Sequence, residues 1–113
     1  MRYKSELYKK EQIELSNKII DILELDQHNQ VILYYLDNDK QKTDKIMALV
    51  PELRKYFTFY HIVGLESPEA VKRPWLSIIR NITKLTHNMT YKDKQLTING
   101  KIIRSKIYTF TKK

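Results

Sequence analysis

Residues 73–87 carry a hydrophobic pattern that predicts an amphipathic helix. Their apolar side chains recur at positions i, i+3, i+4, i+7 and i+10, a spacing that places them on one side of a helix. Pro74 suits the first helical position, where the N–H that proline lacks would have no partner within the helix. We expect the apolar side to face the core; it comprises Trp75, Ile78, Ile79, Ile82 and Leu85.

A second side of the same helix is polar and contains no acidic residue. Guanidinium, amide, hydroxyl and ammonium groups are those that contact base edges and phosphates of a DNA duplex. An ordinary surface helix of a lysine-rich protein would have a similar composition, so this pattern alone leaves both interpretations open. The polar side comprises Arg73, Ser77, Arg80, Asn81 and Lys84.

The dipeptide Asn99-Gly100 predicts a β-hairpin over residues 94–110, because both positions of a two-residue hairpin turn need a positive φ. A hairpin is unstable alone, so we expect it to pack on the apolar side of the 73–87 helix. The register gives one side that we expect to be buried: Leu96, Ile98, Ile103 and Ile107. The positions expected to be exposed are mostly basic: Lys94, Ile102, Arg104, Lys106 and Tyr108.

The first 39 residues are predicted to form a helical extension. Residues 5–25 have a broad apolar side and charged residues elsewhere, which is typical of a helix on a protein surface. Residues 27–36 contain a short unbroken apolar run that fits either a helix or a buried strand, and we favour a helix. Polar residues at 37–40 predict a turn and a boundary, after which a basic domain occupies residues 40–113. The apolar side of the extension is expected to pack on that domain or on a second copy of the chain.

The segment between the extension and the 73–87 helix is predicted to contain three elements. Residues 43–57 show helical spacing of apolar residues, but Pro51 interrupts it, so we expect a kink or two short helices meeting. Aromatic and β-branched residues at 58–63 predict a short strand. Ser67, which precedes a proline, predicts the start of a short helix. That helix should end before Pro74, because proline disfavours helical geometry in the preceding residue.

The net charge of +8 is unevenly distributed along the chain. Residues 1–45 hold eight Lys and Arg against nine Asp and Glu, for a net charge of −1, whereas residues 46–113 hold thirteen against four, for a net charge of +9. Such an asymmetry indicates a polyanionic partner for the C-terminal part. A cationic surface that served only solubility would be spread more evenly.

The chain lacks the residue patterns of common catalytic and cofactor sites. It has no cysteine and only two glycines, which excludes disulfides, cysteine-ligated zinc and Gly-rich phosphate loops. None of its histidines lies at a metal-binding spacing from another, and no nucleophile has a neighbouring base. The carboxylates of Asp37, Asp39 and Asp44 could hold Mg²⁺, but a turn followed by a helix cap also accounts for them. We predict no catalytic residue, no metal, no cofactor and no small-molecule substrate, and hence a protein that is not an enzyme.

The sequence also indicates in which cellular compartment the protein is expected. No run of 18 apolar residues is present, so we expect no membrane-spanning segment. The first residues lack the apolar core of a secretion signal. We therefore expect an intracellular protein, in the cytoplasm or in the nucleus of a host cell.

The predicted order of elements within residues 43–110 is helix, short strand, short helix, long helix and two strands. This order resembles the winged helix-turn-helix domain, in which a β-hairpin wing follows a helix-turn-helix. The resemblance implies that the second helix of the helix-turn-helix enters the major groove and that the wing touches the DNA backbone or the minor groove. Carried over by position, the groove contacts are Arg73, Ser77, Arg80, Asn81 and Lys84, and the wing contacts are Lys94, Lys101, Arg104 and Lys106.

Small lysine- and isoleucine-rich domains of this kind are similar to regulatory domains encoded by large DNA viruses or mobile elements. We therefore expect an α+β fold that is mainly helical, a winged helix-turn-helix with an N-terminal helical extension and a C-terminal β-hairpin. The expected function is binding of duplex DNA, in transcription regulation or as a genome-associated protein, as a monomer or a homodimer. The alternative is a protein-interaction or inhibitor module whose basic face binds an acidic protein.

Overall fold

The computed structural model describes residues 9–56 and 72–113 and shows an α+β protein. About half of the described residues are helical, and the strands form a three-stranded antiparallel sheet. In chain order the elements are α1 (Lys9–Leu23), β1 (Gln30–Ile32), α2 (Leu33–Asp37), α3 (Lys40–Met47), α4 (Val50–Tyr56), α5 (Pro74–Thr83), β2 (His87–Ile98) and β3 (Lys101–Lys112).

The sheet has the order β1-β3-β2, so β3 lies in the centre. Asn99 and Gly100 form the turn between β2 and β3, with φ values of 51° and 78°. Ile98 pairs with Lys101 across this turn, which confirms the predicted register. Each strand of the hairpin has 12 residues, and together they span residues 87–112 where 94–110 was predicted.

One hydrophobic core joins the five described helices to the base of the sheet. The apolar side of α5 lies at its centre, since Trp75, Ile78 and Ile79 are buried as predicted and Ile82 is completely inaccessible to solvent. The other buried apolar residues come from α5 itself, from the four other helices that the structure describes and from β3: Leu15, Ile19, Leu23, Leu33, Leu36, Ile46, Leu53, Leu76, Tyr108 and Phe110.

Helix α5 begins where the sequence predicts and ends earlier than it predicts. Arg73 is the N-cap residue and Pro74 occupies the first helical position. The helix stops at Thr83 and does not reach His87, so the prediction of a helix over 73–87 was wrong at its end. Backbone bonds from Leu85 to Ile82 and from Thr86 to Thr83 close the last turns. The chain can then enter β2 at His87, whose partner in β3 is Lys112.

The hairpin packs on the core with the face opposite to the predicted one. Tyr108, predicted to be exposed, is 1% exposed and belongs to the core cluster. The predicted buried set does share one face, because Leu96 pairs with Ile103 and the side chains alternate along each strand. That face is only half-buried: Leu96 and Ile103 lie nearer the turn and pair with each other, while Ile107 pairs with Ile32 of β1.

The segment at 27–36, which fitted either a helix or a strand, contains both. Gln30–Ile32 form β1 and pair with residues 107–109 of β3, and Leu33–Asp37 form α2 directly afterwards. The helical segment around Pro51 is divided into α3 and α4, the second of the two predicted outcomes. Pro51 lies in the first turn of α4, where a missing N–H costs no helical hydrogen bond.

The N-terminal elements contribute to the same core as the rest of the described chain. Leu15, Ile19 and Leu23 of α1 are buried in it, and β1 extends the C-terminal sheet. The apolar side of α1 therefore packs inside the chain.

The carboxylates at 37–44 have partners within the chain. Asp39 caps α3 by accepting a hydrogen bond from the Lys42 N–H, while Asp44 pairs with Lys40 one turn earlier. Asp37 accepts a hydrogen bond from Arg73. In residues 9–56 and 72–113 no three His, Cys, Asp or Glu side chains form a group that could hold a metal ion.

The predicted strand at 58–63 and the short helix from Ser67 lie outside the described residues. Among the helices that the structure describes, none combines the length and the apolar character needed to cross a membrane.

Candidate nucleic-acid interface

A groove with a volume of about 690 Å³ lies between α5 and the base of the hairpin. Arg80 of α5 and Lys84, the C-cap residue of that helix, line it, and both are exposed and one helical turn apart. Residues 87–91 of β2 also line it, together with Lys106 and Tyr108 of β3 and Lys113, which follows that strand. Because α5 ends at Thr83 and β2 already begins at His87, the end of the helix lies next to the base of the hairpin.

The groove is electropositive. Arg80, Lys84, Lys106 and Lys113 carry fixed positive charges, and none of the described residues that line the groove is acidic. Charges of one sign in a cleft with protein walls reinforce one another and concentrate counter-ions there. The groove is therefore suited to a polyanion.

An aromatic residue stands beside these cations. The Lys106 Nζ atom lies 4.8 Å from the centroid of the Tyr91 ring, a cation–π contact that restrains the lysine side chain. The Tyr91 ring is also tilted against that of Tyr108, with 6.1 Å between the centroids. Because Tyr91 is still 58% exposed, its ring offers an apolar surface to a sugar or a base next to the cations.

His87 lines the groove at the start of β2 and is half-buried. Its Nδ1 atom lies 2.7 Å from Thr86 Oγ1. Burial lowers the pKa of the imidazole below its ordinary value of 6.5, and the positive charge of Lys112 lowers it further. Both effects favour the neutral form of the imidazole.

The hairpin beyond the groove, residues 92–105, forms an arm with cations on both faces. Directly paired residues share a face, so the pairing of Tyr91 with Tyr108 defines the face that continues the groove. By alternation, Arg104 and Lys106 lie on this groove face. Three lysines lie on the opposite face, here called the outer face: Lys92, Lys94 and Lys101. The predicted wing contacts are thus divided between two faces.

Three of the predicted helix contacts do not line the groove. Arg73 lies at the other end of α5, where its guanidinium group donates a hydrogen bond of 2.9 Å to Asp37. Ser77 is 9% exposed, and α1 and α3 both pack against α5. Asn81 is half-buried beside the groove. Only Arg80 and Lys84 of the predicted helix set combine exposure with a place in the groove.

The sequence analysis missed His87, Tyr91 and Lys113 as residues of this site. The signal for two of them was present in the Asn99-Gly100 turn. Extending its register backwards pairs Tyr91 with Tyr108 and His87 with Lys112, on the same face as Lys106. The predicted hairpin began at residue 94, so the prediction left out the pairs that contain His87 and Tyr91.

Comparisons with protein-family models, with curated proteins and with solved structures find no match to this chain.

Proposed function

We propose that this chain is a duplex-DNA-binding protein, a regulator or a genome-associated protein, that uses the groove and the groove face of the arm. The acid-free groove with its four fixed positive charges carries the proposal. Lysine and arginine side chains that neutralise DNA phosphates release condensed counter-ions, which supplies much of the affinity of protein–DNA complexes. Four of the thirteen Lys and Arg residues at positions 46–113 line this groove.

We retain the winged helix-turn-helix interpretation, but with contacts to DNA from only part of α5. The helix would approach the major groove, and the arm would be the wing that follows the backbone. Because residues 75–79 are all buried, only the end of α5 from Arg80 to Lys84 is available to DNA. Arginine is the side chain that most often reads guanine, through two parallel hydrogen bonds, so Arg80 is the proposed base contact.

Two single substitutions separate base reading from phosphate binding. Arg104→Ala should weaken binding to a similar extent on all duplex sequences and reduce the salt slope by about one unit, because one phosphate is no longer neutralised. Arg80→Ala should reduce the preference between sequences by about 1–3 kcal/mol, the usual contribution of a bidentate base contact. Fluorescence anisotropy with a panel of duplexes at several salt concentrations measures both effects.

The matched control is Lys45→Ala, which removes one exposed positive charge outside the groove and the arm. It should leave affinity and sequence preference close to those of the wild type. Affinities for duplex DNA at low salt that are equal in the wild type and in both test variants would show that the proposed surface is wrong. Failure of the wild type to bind bare duplex would favour the alternative, an acidic protein partner.

A homodimer stays a prediction. Two copies would place two α5 helices on successive turns of the duplex if they were about 34 Å apart. Light scattering on the full chain, with and without duplex DNA, measures the molecular mass directly. A monomer under both conditions would exclude the homodimer and leave the DNA-binding proposal in place.

A further inference from the structure

A row of two hydroxyl groups lies behind His87 and connects it to the core. Thr86 Oγ1 is 2.7 Å from His87 Nδ1, and it is also 2.7 Å from Ser16 Oγ of α1. Ser16 is completely buried, whereas His87 lines the groove. The row therefore runs from the interior of the protein to its candidate binding site.

The hydroxyl groups of this row can hydrogen-bond to the imidazole in either of its protonation states. A hydroxyl group has one hydrogen, which can rotate, and can also accept hydrogen bonds. With neutral His87, Thr86 donates to Nδ1 and accepts from Ser16, which leaves the ring hydrogen on Nε2. With protonated His87, Nδ1–H donates to Thr86, whose own hydrogen turns towards Ser16. Rotation of two hydroxyl groups thus keeps Nδ1 paired in both states, which avoids the cost of an unpaired buried group.

We propose that His87 is a phosphate-binding residue of the groove and that it takes up a proton when the DNA backbone occupies the groove. The inference rests on the proposed function and adds to it a specific ligand and a dependence on pH. In the neutral state the Nε2–H group is a hydrogen-bond donor. In the protonated state the whole ring adds a positive charge to the groove.

The charges around His87 explain why occupancy and protonation are coupled. Lys112 is its cross-strand partner. Lys113, which follows β3, lines the groove together with Arg80 of α5 and the C-cap residue Lys84. The contact from α1 is the uncharged Ser16. In the free protein Lys112 opposes a further positive charge on the ring, and the other three cations line the same groove. A bound phosphate chain neutralises them and adds negative charge near the ring, so the protonated state becomes favourable.

The direction of the pH dependence follows from this coupling. The pKa of His87 is lowered in the free protein by burial and by Lys112, and binding should raise it. Affinity should therefore increase as the pH falls through the pKa of the bound state, and the gain should be complete below the pKa of the free state. The phosphodiester groups of the duplex do not titrate in this range.

The test measures duplex affinity of the full chain at pH 8, 7 and 6 at constant ionic strength. We expect the wild-type Kd to fall several-fold from pH 8 to pH 6, since a pKa that binding raises by about one unit gives at most a factor of about ten, reached only below the pKa of the free state. His87→Gln keeps a neutral donor but cannot titrate, so its Kd should change little with pH. The matched control is His28→Gln, at an exposed histidine outside the groove, which should behave like the wild type.

An NMR titration of the His87 ring protons in the wild type, free and bound to duplex, needs no variant. A pKa that rises on binding supports the inference, and a pKa that is unchanged overturns it. A wild-type Kd that is the same at the three pH values, with binding intact, also overturns it but leaves the proposed function standing. If the wild type does not bind duplex at any pH, the proposed function itself fails.

Discussion

Replacing Ile79 by alanine should lower the free energy of unfolding by about 2–5 kcal/mol, the usual range for large-to-small changes in a core. Ile79 is 1% exposed and belongs to the cluster in which α1, α3 and the base of β3 meet α5. The substitution removes most of a fully packed side chain, and neighbours fixed on several elements can close only part of the cavity. Urea melts of the variant and the wild type, followed by circular dichroism, give the difference.

The neighbouring residue provides the control. Arg80 is exposed on the same helix, so Arg80→Ala should change the free energy of unfolding by no more than about 0.5 kcal/mol. An equally small effect of Ile79→Ala would mean that α5 turns a different side to the core. Arg80→Ala also serves in the DNA experiments, where an unchanged stability shows that weaker binding does not come from unfolding.

Removal of three charges from the groove should weaken duplex binding about 100-fold or more at moderate salt. The groove variant combines Arg80→Ala, Lys84→Ala and Lys106→Ala, all at residues that line the groove. A charge-assisted hydrogen bond contributes roughly 1.5–3 kcal/mol, and about 1.4 kcal/mol corresponds to a factor of ten in Kd. The salt slope should decrease by about one unit for each phosphate that the variant no longer neutralises.

The two faces of the arm supply a control with the same change in net charge. The outer-face variant combines Lys92→Ala, Lys94→Ala and Lys101→Ala, at exposed positions on the opposite side of the hairpin. Because a rigid duplex seated in the groove meets the groove face, this variant should lose much less affinity than the groove variant. Equal losses of affinity in the two variants would indicate that the duplex is attracted by the net charge of the protein alone. A larger loss in the outer-face variant would place the DNA on the other face.

The parts of the fold that depend on local sequence were predictable. Pro74 and the spacing from Trp75 to Ile82 defined the start and the buried side of α5. The Asn99-Gly100 turn defined the hairpin register, because both turn positions need a positive φ and few residue types accept one. These features need no knowledge of distant contacts.

The parts that depend on distant contacts were not predictable in this way. Whether residues 30–32 form a strand depends on β3, which lies at the other end of the chain. Ser77 was predicted to contact DNA because helical periodicity shows on which side of the helix a residue lies. It does not show how closely other elements pack around that residue. Arg73 was assigned to DNA because nothing near it in sequence indicates its partner Asp37. The groove itself arises only when α5 and the hairpin meet.

The pairing of β1 with β3 has a consequence for the order in which the chain folds. Gln30 and Thr109 lie side by side in the sheet but are 79 residues apart along the sequence. Closing so large a loop costs entropy before the contact returns any stabilisation, so rates of folding fall as such contacts increase. The helices and the β2–β3 hairpin, whose contacts are local, should form first. β1 would then dock last on an edge that is already in place, completing the sheet without nucleating it.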